Sequence, residues 1–216
     1  MLVEVSDLEH RIRGRTVLSC PGFTVVEGRH TLLLGPSGSG KSTLLNILTG
    51  LITPTSGEVN IAGERLSDLR PGGRDRLRRR MIGIVFQNLR LISALSVRQN
   101  LSLAQHIALG RDDPDAVGAL IEGVGLAHRA DARPRELSQG EAQRAAIARA
   151  LCVRPKIIVA DEPTSALDDD NAVAMCDLLT ASAQTTGATL IIATHDRRLK
   201  DRFAEVLTLK PPGAVR

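Results

Sequence analysis

Residues 35–43, Gly35-Pro36-Ser37-Gly38-Ser39-Gly40-Lys41-Ser42-Thr43, fit the pattern G-x-x-x-x-G-K-[ST]. The glycines let backbone N–H groups turn inward on a phosphate with no Cβ in the way. Lys41 reaches toward β- and γ-phosphates, and the Ser42 hydroxyl can ligate Mg²⁺. A glycine-rich turn of no function would also fit, so the flanking elements decide. Thr31-Leu32-Leu33-Leu34 is a short apolar run that predicts a buried strand. Thr43 to Thr49 predicts a helix, with Leu44, Leu45 and Leu48 on one side and Gly50 as a stop. Strand, glycine loop and helix are the context that a phosphate-binding loop requires, and the helix N-terminus adds its dipole to the cradle.

Further reactive residues fall at the ends of apolar runs. Lys156-Ile157-Ile158-Val159-Ala160-Asp161-Glu162 predicts a buried strand whose end delivers two adjacent carboxylates. Met81 to Phe86 predicts another, ending at Gln87, and Thr189 to Thr194 a third, with His195 at its carboxyl end. Strands alternating with helices imply a parallel sheet, and ligands bind at the carboxyl ends of such strands. Gly35, Gln87, Asp161 and His195 all fall there.

Around this core, Leu2–Val5 and Val17–Val26 read as short strands about a turn at Gly14, with Pro21-Gly22 interrupting the second. Pro54-Thr55-Ser56-Gly57 is a turn and Glu58–Ile61 a strand, so a small antiparallel sheet is expected beside the core. Arg70 to Arg80 is arginine-dense and reads as a solvated loop and helix face, with contact to lipid head groups or an acidic partner as the alternative. Asn88 to Leu109 is expected to be helical. Asp112-Asp113-Pro114 starts another helix, with Pro in its first turn. Ser138 sits at an N-cap and Glu141 completes a capping box before an alanine-rich helix to Leu151. Asp168-Asp169-Asp170 opens a helix to about Gln184. One domain is expected: a nucleotide-binding core with the β subdomain over 1–87 and 154–216, and a helical subdomain over 88–153.

The 216 residues carry a net charge of +4, no Trp or Tyr and three Phe. Base-stacking platforms for nucleic acid are therefore nearly absent. No stretch approaches the ~18 apolar residues of a membrane span. Met1 to Val5 lacks the features of a signal peptide, so a cytosolic protein is expected. Cys20, Cys152 and Cys176 form no C-x-x-C and read as reduced core thiols.

The ordered set Gly35–Thr43, Gln87, Leu137–Glu141, Ile157–Glu162, Ser165-Ala166-Leu167-Asp168 and His195 resembles the ATP-binding-cassette ATPases: their Walker A, Q-loop, signature, Walker B, D-loop and switch histidine. The likeness spans nearly the whole chain. Arg78-Arg79-Arg80-Met81-Ile82-Gly83-Ile84-Val85-Phe86-Gln87 and Ala160-Asp161-Glu162-Pro163-Thr164-Ser165-Ala166-Leu167-Asp168 look most like the small bacterial ATPases that serve lipoprotein-releasing, macrolide-efflux and cell-division-type permeases. The resemblance implies a P-loop NTPase α/β fold and hydrolysis of Mg-ATP. Phosphoanhydride hydrolysis needs charge neutralisation, positioned water and a proton acceptor. Lys41 supplies charge, Ser42 and Asp161 hold Mg²⁺, Gln87 ligates Mg²⁺ or positions water, Glu162 is the base and His195 contacts the γ-phosphate. Ser138 and Gly140 cap ATP bound by a second copy, with Asp168 spanning the interface, so a homodimer is implied.

Two departures from the family pattern stand out. The usual L-S-G-G-Q is here Leu137-Ser138-Gln139-Gly140-Glu141, which places a negative charge near the site. Ile12 falls where an aromatic usually stacks on adenine, with His10 as a candidate substitute. The implied partners are integral membrane permease subunits docking near Asn88–Leu101, with no nucleic acid, and the place is the cytoplasmic face of the inner membrane. A soluble cassette ATPase of translation or DNA repair, or a small P-loop kinase, are the alternatives.

Overall fold

The computed structural model describes residues 1–165 and 167–212. Ala166 of the predicted D-loop segment, and the side chains of Asp169 and Asp170, lie outside the described residues. The chain builds β1 (Val3–Ile12), β2 (Arg15–Val25), β3 (Thr31–Leu34), α1 (Lys41–Leu48), β4 (Ser56–Ile61), β5 (Glu64–Arg65), α2 (Pro71–Met81) and β6 (Ile82–Val85). It continues with α3 (Val97–Leu109), α4 (Pro114–Gly123), α5 (Gln139–Leu151), β7 (Ile157–Asp161), α6 (Asp169–Thr186), β8 (Thr189–Thr194) and β9 (Glu205–Thr208).

β3 and β8 are buried at every position, the mark of strands covered on both faces. They lie inside an all-parallel sheet of order β6-β7-β8-β3-β9. Period-two alternation splits its side chains between two cores. Leu32, Leu34, Ile158, Ala160, Leu190 and Ile192 pack with α3, α4, α5 and α6. Leu33, Ile157, Val159, Ile191 and Ala193 pack with α1, α2 and the antiparallel sheet β2-β1-β4-β5. The fold is thus the expected α/β P-loop architecture, with a small antiparallel sheet and an inserted helical region.

Two local expectations are corrected, and one strand is added. Pro21-Gly22 does not interrupt β2, which runs through to Val25. β2 is an edge strand, where proline's missing N–H breaks no ladder. Helix α3 begins at Val97 rather than Asn88. Ser96 and Gln99 form a capping box there, and Asn100 reaches back to bond Ile92 N and the carbonyls of Ile92, Leu95 and Ser96. Those bonds hold residues 92–96 in a turn. Finally, β9 closes the parallel sheet beside β3. The arginine-dense stretch is one helix, α2, with Pro71 in its first turn and Leu77 and Met81 as its buried side.

Candidate active site

The chain leaves buried β3 at Leu34 and must turn at once into α1. Gly35 has no room for a side chain: a Cβ would lie 2.5 Å from Ser39 Oγ and 2.7 Å from Leu209 O. Gly40, the N-cap of α1, sits at φ 92°, where its Cβ would also meet Val17 O at 2.7 Å. Lacking a side chain, Gly40 cannot cap the helix, so the first-turn N–H groups are left for a ligand. Ser39 Oγ is buried without a partner beside them. An orphaned hydroxyl and free helix N–H groups are what an anion would satisfy. A cavity of about 550 Å³ opens on the loop at Gly35, Pro36 and Ser37, and its other walls include His195, Arg197 and Lys200.

Lys41 is only 6 % exposed. Its Nζ donates to Gly35 O at 2.8 Å and Pro36 O at 3.2 Å, and pairs with Glu162 Oε1 at 3.2 Å. The neighbouring Ser42 Oγ donates to Asp161 Oδ1 at 3.1 Å. Burial pushes the Asp161 carboxyl up, and the Ser42 hydrogen bond opposes that.

β7 and β8 remain paired as far as the carboxylates, where Glu162 N donates to Ala193 O at 2.8 Å. Glu162 then adopts φ 48°, in the left-handed region that costs a non-glycine residue ~1–2 kcal/mol. The turn sends the two adjacent carboxylates to different partners. Asp161 meets Ser42, whereas Glu162 Oε2 lies 2.9 Å from His195 Nδ1 and accepts from Thr194 Oγ1 at 3.1 Å. Burial alone would push the Glu162 carboxyl up, but the His195 and Lys41 hydrogen bonds outweigh it and hold it below the usual range. Glu162 is therefore an ionised, oriented carboxylate able to accept a proton.

Gln87 follows β6 and lines a cavity of about 100 Å³ with Glu162, Gln139 and Gln143. That volume holds a few waters between an amide and a carboxylate. Ser138 is the N-cap of α5, as expected: its hydroxyl accepts from Glu141 N at 3.3 Å, while Glu141 Oε2 accepts from Ser138 N at 2.7 Å. The Glu141 charge is absorbed by these bonds and by Arg129 at 3.1 Å. The Ser138 backbone and side chain, then Arg129, hold its pKa at about 2. Ser138 and Gly140 line a separate cavity with Arg144, Leu167 and Asn171, away from the phosphate loop. Asp168 caps α6 by accepting from Asn171 N and Nδ2 at 2.9 and 2.8 Å. Ile12 ends β1 with 53 % of its surface exposed, and His10 Nδ1 is buried without a partner.

Lys41, Ser42, Asp161, Glu162 and His195 are thus brought together by hydrogen bonds, and Gln87 joins them through a shared cavity. Ser138, Gly140, Asp168 and Ile12 stand apart from that cluster. Sequence reasoning misses Thr194, whose strand-end position is its only signal, and Gln143, which donates from α5 to Pro163 O at 3.2 Å. Among the described residues no three His, Cys, Asp or Glu side chains converge on a metal position. Mg²⁺ does not require them, because it is commonly held by one or two carboxylates, waters and substrate phosphates. The oxygen donors of Ser42 and Asp161, already 3.1 Å apart, fit that pattern.

The sequence profile of the ABC transporter family matches residues 18–165. The lipoprotein-releasing system ATP-binding protein LolD of Xanthomonas campestris is 42 % identical over 190 residues, 87 % of this chain and 79 % of that protein. HrtA of Staphylococcus haemolyticus, an ATP-binding protein named for hemin import, is 43 % identical over 195 residues, 88 % of each chain. The fold superimposes on the dimeric structure of MJ0796, a bacterial ABC transporter cassette, with TM-score 0.88 and 32 % identity, covering 97 % of this chain and 95 % of that one. MJ0796 bound to ADP and Pi in a post-hydrolysis state matches equally well. With a phosphate loop, a paired carboxylate strand end and relatives of this identity, the chain belongs to the ABC transporter family and is one of its nucleotide-binding, ATP-hydrolysing cassettes.

Proposed function

We propose that two copies of this chain pair head to tail, bind Mg-ATP between them and use its hydrolysis to drive a separate membrane permease. The carrying observation is that the Ser138–Gly140 helix end opens on a different cavity from the phosphate loop of the same chain. Ser138 and Gly140 line a cavity that the phosphate loop of their own chain does not, so in this reading a second copy brings them to its nucleotide. The dimeric MJ0796 structure supports this reading.

Each side chain then has a defined task. Gly35 to Thr43 cradle the phosphates, and Lys41 exchanges its bonds to Gly35 O, Pro36 O and Glu162 for phosphate oxygens. Ser42, Asp161 and Gln87 would hold Mg²⁺, which when bound neutralises phosphate charge. Glu162 accepts the proton of the attacking water, its orientation set by His195 and Thr194. His195, half exposed above Glu162, is placed to contact the γ-phosphate. Ser138 and Gly140 contact it from the second copy, Asp168 lies at the joint, and Ile12 offers the adenine an apolar contact.

No helix among the described residues is long and apolar enough to cross a membrane, and in this proposal the permease is a separate subunit. The names of LolD and HrtA place such relatives in systems that release lipoproteins and move hemin. This chain accordingly works at the cytoplasmic face of the membrane. The test is pull-down of the tagged chain from solubilised membranes, followed by ATP turnover of whatever complex is recovered. Co-purification and ATP turnover altered by the permease are expected. Co-sedimentation with ribosomes or DNA, and no membrane partner, would instead favour the soluble cassette ATPases.

A further inference from the structure

Arg149 lies in the last turn of α5, partly buried, with no carboxylate at ion-pair distance among the described residues. Its guanidinium is spent on backbone: Nη1 donates to Arg90 O and Nη2 donates to Leu89 O at 2.9 Å. A charge withdrawn even partly from water is normally paired with an opposite one, and the desolvation here holds the guanidinium below its usual pKa. Simple packing would be served by an uncharged side chain. What arginine adds is a planar fork that grips two successive carbonyls.

The turn it grips is strained. Arg90 has φ 51°, and its own guanidinium sits 4.5 Å from the Phe86 ring centroid. In chain order Gln87 follows Phe86 and comes two residues before the first gripped carbonyl. On the other side, α5 packs against β6 so closely that a Cβ on Gly83 would lie 2.3 Å from Ala150 O. One helix therefore touches both the strand that enters Gln87 and the turn that leaves it.

We propose that Arg149 is a positioning residue for Gln87: it holds the Leu89–Arg90 turn in its left-handed form and so fixes the Gln87 amide over the cavity it shares with Glu162. The proposal rests on the reading of Gln87 as a group that positions water or metal.

The test compares ATP turnover, KM for Mg-ATP and melting temperature in Arg149→Met, Arg90→Gly, Gln87→Ala and the double variants. Misplacing Gln87 should lower the kcat of Arg149→Met by about 10–100-fold, with KM for Mg-ATP moved by less than about threefold. Glycine holds a positive φ unaided, so adding Arg90→Gly should return kcat to within about fivefold of the unaltered protein. In a Gln87→Ala background, Arg149→Met should cost nothing further. Failure of the glycine rescue, or losses that multiply with Gln87→Ala, would overturn the proposal and assign Arg149 to packing alone. Unaltered turnover in Gln87→Ala overturns the reading of Gln87 itself, and the proposal with it. Should Arg149→Met not fold, Arg149→Lys, which keeps one donor, carries the same rescue comparison.

Discussion

Replacing Glu162 by glutamine separates three properties that the geometry ties to one carboxylate. In the structure Oε1 lies 3.2 Å from Lys41 Nζ, and Oε2 lies 2.9 Å from His195 Nδ1 and 3.1 Å from Thr194 Oγ1. Hydrogen bonds to a charged group contribute ~1.5–3 kcal/mol and neutral ones ~1 kcal/mol, so neutralising the acceptor in two of them costs about 1–4 kcal/mol. Relief of a buried charge opposes this, which favours the lower part, about 1–2 kcal/mol. For a chain of this size that is a fall in melting temperature of about 2–8 °C. Binding should move the other way. Lys41 loses its competing carboxylate, and the phosphates lose a negative neighbour, so ATP should bind more tightly to Glu162→Gln. Turnover should fall about 10²–10⁴-fold, the contribution of a positioned base. Thermal melts with and without Mg-ATP, calorimetric titration and phosphate release read the three separately. Turnover within about threefold of the unaltered protein would place the proton acceptor elsewhere, since loss of a base costs far more. Weaker ATP binding would show that the Lys41–Glu162 pair does not compete with phosphate.

Three further outcomes are expected. Glu141 has its pKa depressed to about 2, so its contribution is complete above 4.5 and disappears as pH falls through about 2. Glu141→Gln keeps a residue suited to the capping box, so its urea midpoint should trail that of the unaltered protein near neutrality and converge with it in that acid window; a constant gap contradicts the assignment. Ile12→Tyr should tighten ATP by about 5–150-fold, the equivalent of ~1–3 kcal/mol of base stacking; an unchanged dissociation constant puts the adenine elsewhere. Gly83→Ala drives a methyl to 2.3 Å from Ala150 O and should lower the melting temperature by about 2–12 °C, from ~1–3 kcal/mol of overpacking; an unshifted melt would show that α5 can move off β6 freely.

Much of the core is legible in the chain because each signal is local. Thr31–Leu34, Ile157–Asp161 and Thr189–Thr194 are apolar runs of strand length, and the residues after them are the ones that meet at the site. Ser138 and Glu141 announce α5 by their spacing. The same spacing at Ser96 and Gln99 marks the start of α3, but the apolar residues of the helix give no sign of where, between Asn88 and Val97, it begins. The irregular course of residues 89–95 is imposed by Asn100 and Arg149, which act from 5 to 60 positions away. β9 is hidden because an edge strand with exposed Glu205 and Thr208 has no apolar alternation to read. The Lys41–Glu162 pair, the left-handed turn at Glu162 and the grip of Arg149 are products of packing. No spacing rule reaches them.

A nucleotide shared between two copies must bring the phosphate loop of one beside Ser138 of the other. Two differently tagged forms, one carrying Ser37→Cys in the phosphate loop and one carrying Ser138→Cys at the head of α5, test it directly. Both positions are exposed, whereas Cys20, Cys152 and Cys176 are buried. With Mg-ATP present, a short bifunctional thiol reagent should join the two tags to each other, and should do so far less without nucleotide. Rapid closure between the same two positions placed on one chain, with no product carrying both tags, would contradict it.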